Sequence, residues 1–362
     1  MRKLIVAAAL AVGATPLAAQ TGPTLTRFWI LDVGAITGQP IQPSRVNNAG
    51  AMIWNSGGRA FVFQNCLSHD IGSLGGETIA RGIGPDGNVV GRSVNRSGRQ
   101  RAFRYSAGVM RDLGGGSTNV LLQEDAIATN YWGDVVGVES AGSTNLTPTA
   151  VRYQDGGAYR MASAVLSPFG FVKVEHVVDL NDSRMVLGAL TVGGNITTLV
   201  SNNLGYQWTV LKGVPGLSFS TFPAAMNRLG HVTGTAGQGV VRAFLSRDPT
   251  LDAIDLGTLG GSDSFGEGIN SYDWVVGASA LATTELRAFV HDGTGMFDLN
   301  SRVWNGTGWL LLEATGVNDS GVIVGNGFKN GVPHAFMLLP MARSPLTPPC
   351  QIVGNTGGIA TR

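Results

Sequence analysis

Charge is scarce in this chain. Asp, Glu, Lys and Arg together make up 14% of its 362 residues and leave a net charge of +1, against a usual charged share of about a quarter. No run of Lys or Arg occurs, which argues against nucleic acid or another polyanion as a partner. Cysteine is scarcer still, with only Cys66 and Cys350. One distant pair excludes a clustered Cys metal site and, in an exported chain, reads as a disulfide. The five histidines, His69, His176, His231, His291 and His334, are scattered, so they are read as structural and no metal centre is expected. Neither a G-x-S-x-G nucleophile elbow nor a Walker loop is present. The one G-x-G-x-x-G match, "GIGPDG" at residues 82 to 87, sits in a hairpin turn with no helix to follow, and a nucleotide reading fails on that context.

Long apolar runs are missing after the first residues. The opening "MRKLIVAAALAVGATPLAAQ" places Arg2 and Lys3 before an apolar stretch and then small residues, the layout of a secretory signal too short to span a bilayer. Residues 1–19 are therefore expected to be a signal peptide, and the rest to be exported without a membrane span. What the chain has in excess is glycine, 53 residues without a collagen period, which suits many tight turns between short strands.

The phrase I-N-x-x-G-x-V-V-G recurs seven times, as "VNNAGAMIW" from Val46, "IGPDGNVVG" from Ile83, "TNYWGDVVG" from Thr129, "LNDSRMVLG" from Leu180, "MNRLGHVTG" from Met226, "INSYDWVVG" from Ile269 and "VNDSGVIVG" from Val317. Its second position is Asn in six copies, with Gly84 the exception, and its last is Gly in six. The copies step by about 45 residues, the period of four-stranded propeller blades. Each reads as two strands and a turn. A third strand follows at "RAFVF", "RAFRY", "TAVRY", "TTLVS", "RAFLS", "RAFVH" and "HAFML", then a fourth ending in Asp-apolar-Gly or similar, degenerate in copies three and four.

The seventh copy has no fourth strand, because the chain runs into the proline-rich "MARSPLTPPC", whereas "RFWILDVG" at residues 27 to 34 precedes the first copy. The expectation is an all-β, seven-bladed β-propeller of four-stranded antiparallel blades. It spans residues 20–345, is closed by the N-terminal strand 27–34 joining blade seven, and leaves a tail over 346–362. The Asp column Asp32, Asp70, Asp112, Asp255 and Asp298 reads as a turn device. The small residues two and four before the Asn column (Gly82 and Ala80, Ala128 and Ala126, Ala225 and Pro223, Gly268 and Gly266, Gly316 and Ala314) suit strands crowding an axis.

The "RAF" and "HAF" strands, "DLGTLGG" and "GWLLLEATGVNDSGVIVG" together resemble the bacterial extracellular HAF-repeat family over nearly the whole mature chain. That resemblance implies export and a propeller-like repeat fold, and brings no catalytic residues.

Five to seven residues before the Asn column stand Glu77, Glu124, Asp125, Glu175, His176, Asp263 and Glu313. If these positions meet at one channel mouth, the carboxylates can hold Ca²⁺, a polyol or a sugar, or serve as acid and base in hydrolysis or lyase chemistry. The plainer reading is polar surface at the strand starts. Trp304, in a crossover without a copy in other blades, is a further ligand contact. The expected function is a binding module for an extracellular polysaccharide, protein or surface; the alternative is an extracellular polymer-degrading hydrolase or lyase. A Cys66–Cys350 bridge would latch the ring, with an upper figure of about 5 kcal/mol for so long a loop.

Overall fold

A computed structural model describes residues 27–38, 44–114, 122–141, 148–154, 156–162, 164–166, 170–217 and 220–341. The expected signal peptide, the C-terminal tail and Cys350 lie outside these described residues. Seven sheets of four antiparallel strands follow one another, which is the expected seven-bladed propeller. Their innermost strands are Arg45–Val46, Gly75–Ile83, Leu122–Thr129, His176–Leu180, Thr221–Met226, Gly260–Ile269 and Trp309–Val317. One feature escapes the repeat pattern: a two-stranded hairpin, Ala164–Leu166 with Gly170–Val172, sits between blades three and four.

Ring closure is as the strand arithmetic requires. Phe28–Ala35 pairs with Val332–Pro340 as the outermost strand of blade seven. Its side chains alternate between neighbours: Phe28 and Ile30 pack with Trp274 and Val276 of blade six, while Leu31 and Val33 pack with Trp54 and Phe63 of blade one. Asp32 accepts from His334 and Lys329, both at 2.7 Å. The His of "HAF" thus pairs with the Asp of the adjacent outermost strand. Arg59 with Asp70 and Arg101 with Asp112 repeat this pairing in blades one and two.

The rest of the repeated phrases have packing causes. In blades two to seven the innermost strand carries a β-bulge three residues before the Asn column. A bulge bends its strand, and here it presses a main-chain carbonyl against the second strand. A Cβ placed on Gly91, Gly137, Gly234, Gly277 or Gly325 would lie 1.8–2.1 Å from that carbonyl oxygen. Third-strand phenylalanines lie opposite four of these glycines, and Phe103, Phe244, Phe289 and Phe336 are fully buried, while Val151 faces Gly137. Among the described residues the inner strand of blade one is Arg45–Val46, and there Trp54 takes the glycine position and stacks on Phe61 at 4.6 Å.

The Asn column does more than turn the chain. Each Oδ1 accepts main-chain amides of its own hairpin. Each Nδ2 donates to the next blade's carbonyl: Asn47 to Gly84, Asn130 to Asn181, Asn181 to Asn227, Asn227 to Asn270, Asn270 to Asn318, and Asn318 back to Asn47, at 2.9–3.3 Å. This wheel ties the blades together around the axis. Gly84 has no donor side chain, so the seam between blades two and three lacks the bond and is crossed instead by ion pairs of Arg81 with Asp125 and Arg101 with Glu124. The Asp column behaves as expected of a turn device, with Asp70, Asp112, Asp255 and Asp298 each accepting the amide two residues on.

Candidate functional site

Neighbouring inner strands approach closely around the axis. A Cβ on Gly268 would lie 2.9 Å from the Gly316 Cα, and one on Gly82 would lie 2.6 Å from the Ile127 oxygen. Small residues therefore fill the column two before the Asn wheel in five blades. Blades one and four depart from it with Arg45 and Asp179, and these two line the central cavity. The cavity holds about 220 Å³, and the Asn wheel and its turns surround it.

Arg45 reaches across the axis. Its two guanidinium contacts, both 3.4 Å long, go to the main-chain carbonyls of Glu267 and Ala224, on blades six and five. Asp179 accepts the Leu180 amide at 2.8 Å and the Met226 amide of blade five at 2.9 Å. Burial pushes the Asp179 carboxyl upward, against the pull of the Arg45 charge. Glu267 is pushed up to about 7, chiefly by burial and then by the neighbouring Glu313, with Arg45 opposing. Burial raises Glu313 as well.

An acid whose folded pKa exceeds its unfolded one weakens the fold as pH rises between the two. Glu267 costs nothing below its ordinary value of 4.5, and its cost grows until pH passes about 7. Replacing it with Gln removes that cost, at most about 3 kcal/mol. The expected outcome is a Glu267→Gln variant that melts with the parent at pH 5 and above it at pH 8; equal melting at both would contradict the burial argument.

The residues expected at one rim differ in burial and partners. Glu77 is exposed at the start of its strand. Glu124 is fully buried in the seam between blades two and three, 3.3 Å from Arg101, and burial pushes it up to about 7. Asp125, one residue on, pairs with Arg81 of the same neighbouring blade at 3.1 Å. Glu175 accepts the Thr191 amide and Asp263 the Val241 amide, so both hold strand edges. His176 is exposed, and Glu313 is largely enclosed near Glu267. Trp304 stands away from the axis, its amide bonded to the Phe28 carbonyl and its ring beneath Arg27. Among the described residues no three His, Cys, Asp or Glu side chains group as metal ligands.

Sequence reasoning passed over Arg45, Asp179 and Glu267, although two of them are visible as breaks in the small-residue column. It also left Tyr131 out. Tyr131 and Trp132 form the tip of the blade-three turn, on the face where the Asn wheel opens. Trp132 is 63% exposed, meets Tyr131 edge to face at 5.5 Å, and is fixed by Nε1 donating to the Asp182 carbonyl with Arg184 against its ring. Tyr206 and Leu251, on outer turns of blades four and five, and Leu229 are also exposed on this face. Trp274, in the corresponding turn of blade six, is by contrast buried.

No family model matches the chain, and no curated protein matches it either. Solved structures do. A structure described as YCF48 bound to D1 peptide superposes with a TM-score of 0.53 at 8% identity over 88% of this chain and 99% of that one. The extracellular domain of the putative hybrid two-component system BT4673 from B. thetaiotaomicron gives 0.51 at 9% identity over 88% and 40%. A puromycin hydrolase S511A mutant complexed with PGG gives 0.52 at 11% identity over 80% and 50%. The chain thus spans half or less of the length of the latter two. At such identities the likeness shows the fold alone: this is a β-propeller protein. The HAF-repeat likeness rests on the sequence phrases. No helix of the described residues is long and apolar enough to cross a membrane.

Proposed function

We propose that the protein is exported by a bacterium, as its HAF-type repeats imply, and acts as a binding module for an extracellular polysaccharide, protein or surface ligand. The observation that carries this reading is the platform of Tyr131 and Trp132. Both rings are more than half exposed on turns whose other copies carry mainly small or polar residues. An aromatic held rigid by a hydrogen bond and a cation, yet left open to solvent, has no packing role and suits stacking against a partner.

The competing reading, an extracellular hydrolase or lyase, draws on Glu267 poised near neutrality beside Glu313. A glycan, polymer and protein array with residues 20–362 distinguishes them. Retention without product, lowered about tenfold or more by Trp132→Ala, supports the module. Soluble fragments that disappear in Glu267→Gln support the enzyme. Neither outcome on a broad array would sink both. Retention that survives a chelator removes calcium from the reading.

The latch between Cys66 and Cys350 belongs to the same proposal. Cys66 sits in the blade-one turn at φ 67, next to blade seven, and Cys350 lies outside the described residues. A thiol titration of the native exported protein is expected to find no reactive sulfhydryl before reduction. Two reactive thiols would overturn the bridge.

A further inference from the structure

The central cavity is lined by charged groups of both signs whose hydrogen bonds are made unequally well. Three aspartates line it, and each already accepts from the protein. Asp179 takes two main-chain amides, Asp182 takes the Tyr131 amide, and Asp319 takes Ser271 and Asn48. These hydrogen bonds hold neighbouring turns in place. The arginines differ. Arg45 has five N–H donors, of which two make long contacts at 3.4 Å to carbonyls. Arg228, on the blade-five turn that borders the same cavity, is exposed. The wheel amides, Asn47 to Asn318, are spent on neighbouring carbonyls and Arg81 is paired with Asp125, so the loosely held donors facing the open volume are those of Arg45 and Arg228.

We propose that this cavity is a binding site for a small carboxylate, held by the Arg45 guanidinium at its floor and drawn in past Arg228 at its mouth. Arginine suits this task because its planar donors match the two oxygens of a carboxylate. The cavity, about 220 Å³ and open at the face of the Asn turns, has room for a sugar ring or a short organic acid. The ligand is either a free small acid or the acidic sugar at the end of a chain, and both present the same carboxylate.

The test uses residues 20–362 with glucuronate, succinate, an oligoglucuronate and neutral glucose, read by calorimetry and thermal shift. Glucuronate or succinate is expected to bind and raise the melting temperature, whereas glucose at the same concentration does neither. Binding of the oligomer at one site per chain end points to the chain-end source, and binding of the monomers alone points to a free acid. Arg45→Gln is expected to weaken binding about tenfold or more, and Arg228→Ala about threefold, since charge-assisted hydrogen bonds to carboxylates carry that much. If Arg45→Gln does not fold, the exposed Arg228→Ala variant decides. No response to either acid, an equal response to glucose, or undiminished affinity in a folded Arg45→Gln protein overturns the proposal. The array reads the aromatic platform through Trp132, so failure here leaves the binding-module reading standing.

Discussion

A protein of residues 36–362 is expected to lose its cooperative thermal transition. The strand contributes Phe28, Ile30, Leu31 and Val33, all buried, and burying each large apolar side chain is worth about 1.5–3 kcal/mol. Four of them amount to roughly 6–12 kcal/mol, which matches the whole stability of an ordinary domain at about 5–15 kcal/mol. The loss is not confined to one sheet, because alternate residues of the strand fill the cores on both sides of blade seven. Deletion also uncovers Val332–Pro340 as an open edge beside the exposed faces of blades one and six, a template for aggregation. Circular dichroism melting and size-exclusion chromatography check this. A truncated protein that stays monomeric and melts within about 5 °C of the intact one would show that the ring closes by other means.

That closure could be read from the sequence because every blade solves the same problem. A radial sheet must cover both faces with neighbours, so seven sheets need seven sets of strands, and the leftover strand at one end had to complete the incomplete set at the other. The repeated phrases marked the turns, and the turns marked the strands. The hairpin of Ala164–Leu166 and Gly170–Val172 was not legible, since it occurs once and no other copy reveals it.

The site was less legible, and the bulge is the reason. Counting five to seven residues back from the Asn column assumes an unbroken strand in which those positions gather at one mouth. Strand alternation turns consecutive residues apart, yet Glu124 and Asp125 both end buried against arginines of blade two, Arg101 and Arg81, in one seam. The bulge three residues before the Asn shifts the phase again, and brings Glu267 toward Arg45. Nothing in the hydrophobic pattern announces a bulge. Its trace is the glycine column on the next strand, which looked like part of a turn signature. The Asn column was likewise read for half its work: a turn explains its Oδ1, but the Nδ2 bond to the following blade needs the ring to exist first. The channel charges left a plainer mark, for Arg45 and Asp179 stand where five other blades have Gly or Ala.

Replacing Gly277 with Ala is expected to destabilise the protein by about 3 kcal/mol or more, at or beyond the upper end of ordinary overpacking. The new methyl would lie 1.8 Å from the Phe265 oxygen and 2.9 Å from a ring carbon of Phe289. Neither neighbour can retreat cheaply. The oxygen belongs to the bulged inner strand, whose partner on the far side is the next blade, and the Phe289 ring is fully buried. Gly188→Ala makes the comparison informative, because there the inner-strand oxygen and the Trp208 ring are both 3.0 Å away, so a shift of a few tenths of an ångström relieves the contact. Chemical denaturation of the two variants should therefore rank Gly277→Ala well below Gly188→Ala, with the latter losing about 1 kcal/mol. Backbone entropy alone would stabilise both slightly, by about 0.4–1 kcal/mol. Equal or stabilising effects at the two positions would mean that the inner strands are not pressed against their neighbours. The small-residue column around the cavity would then have no packing cause either.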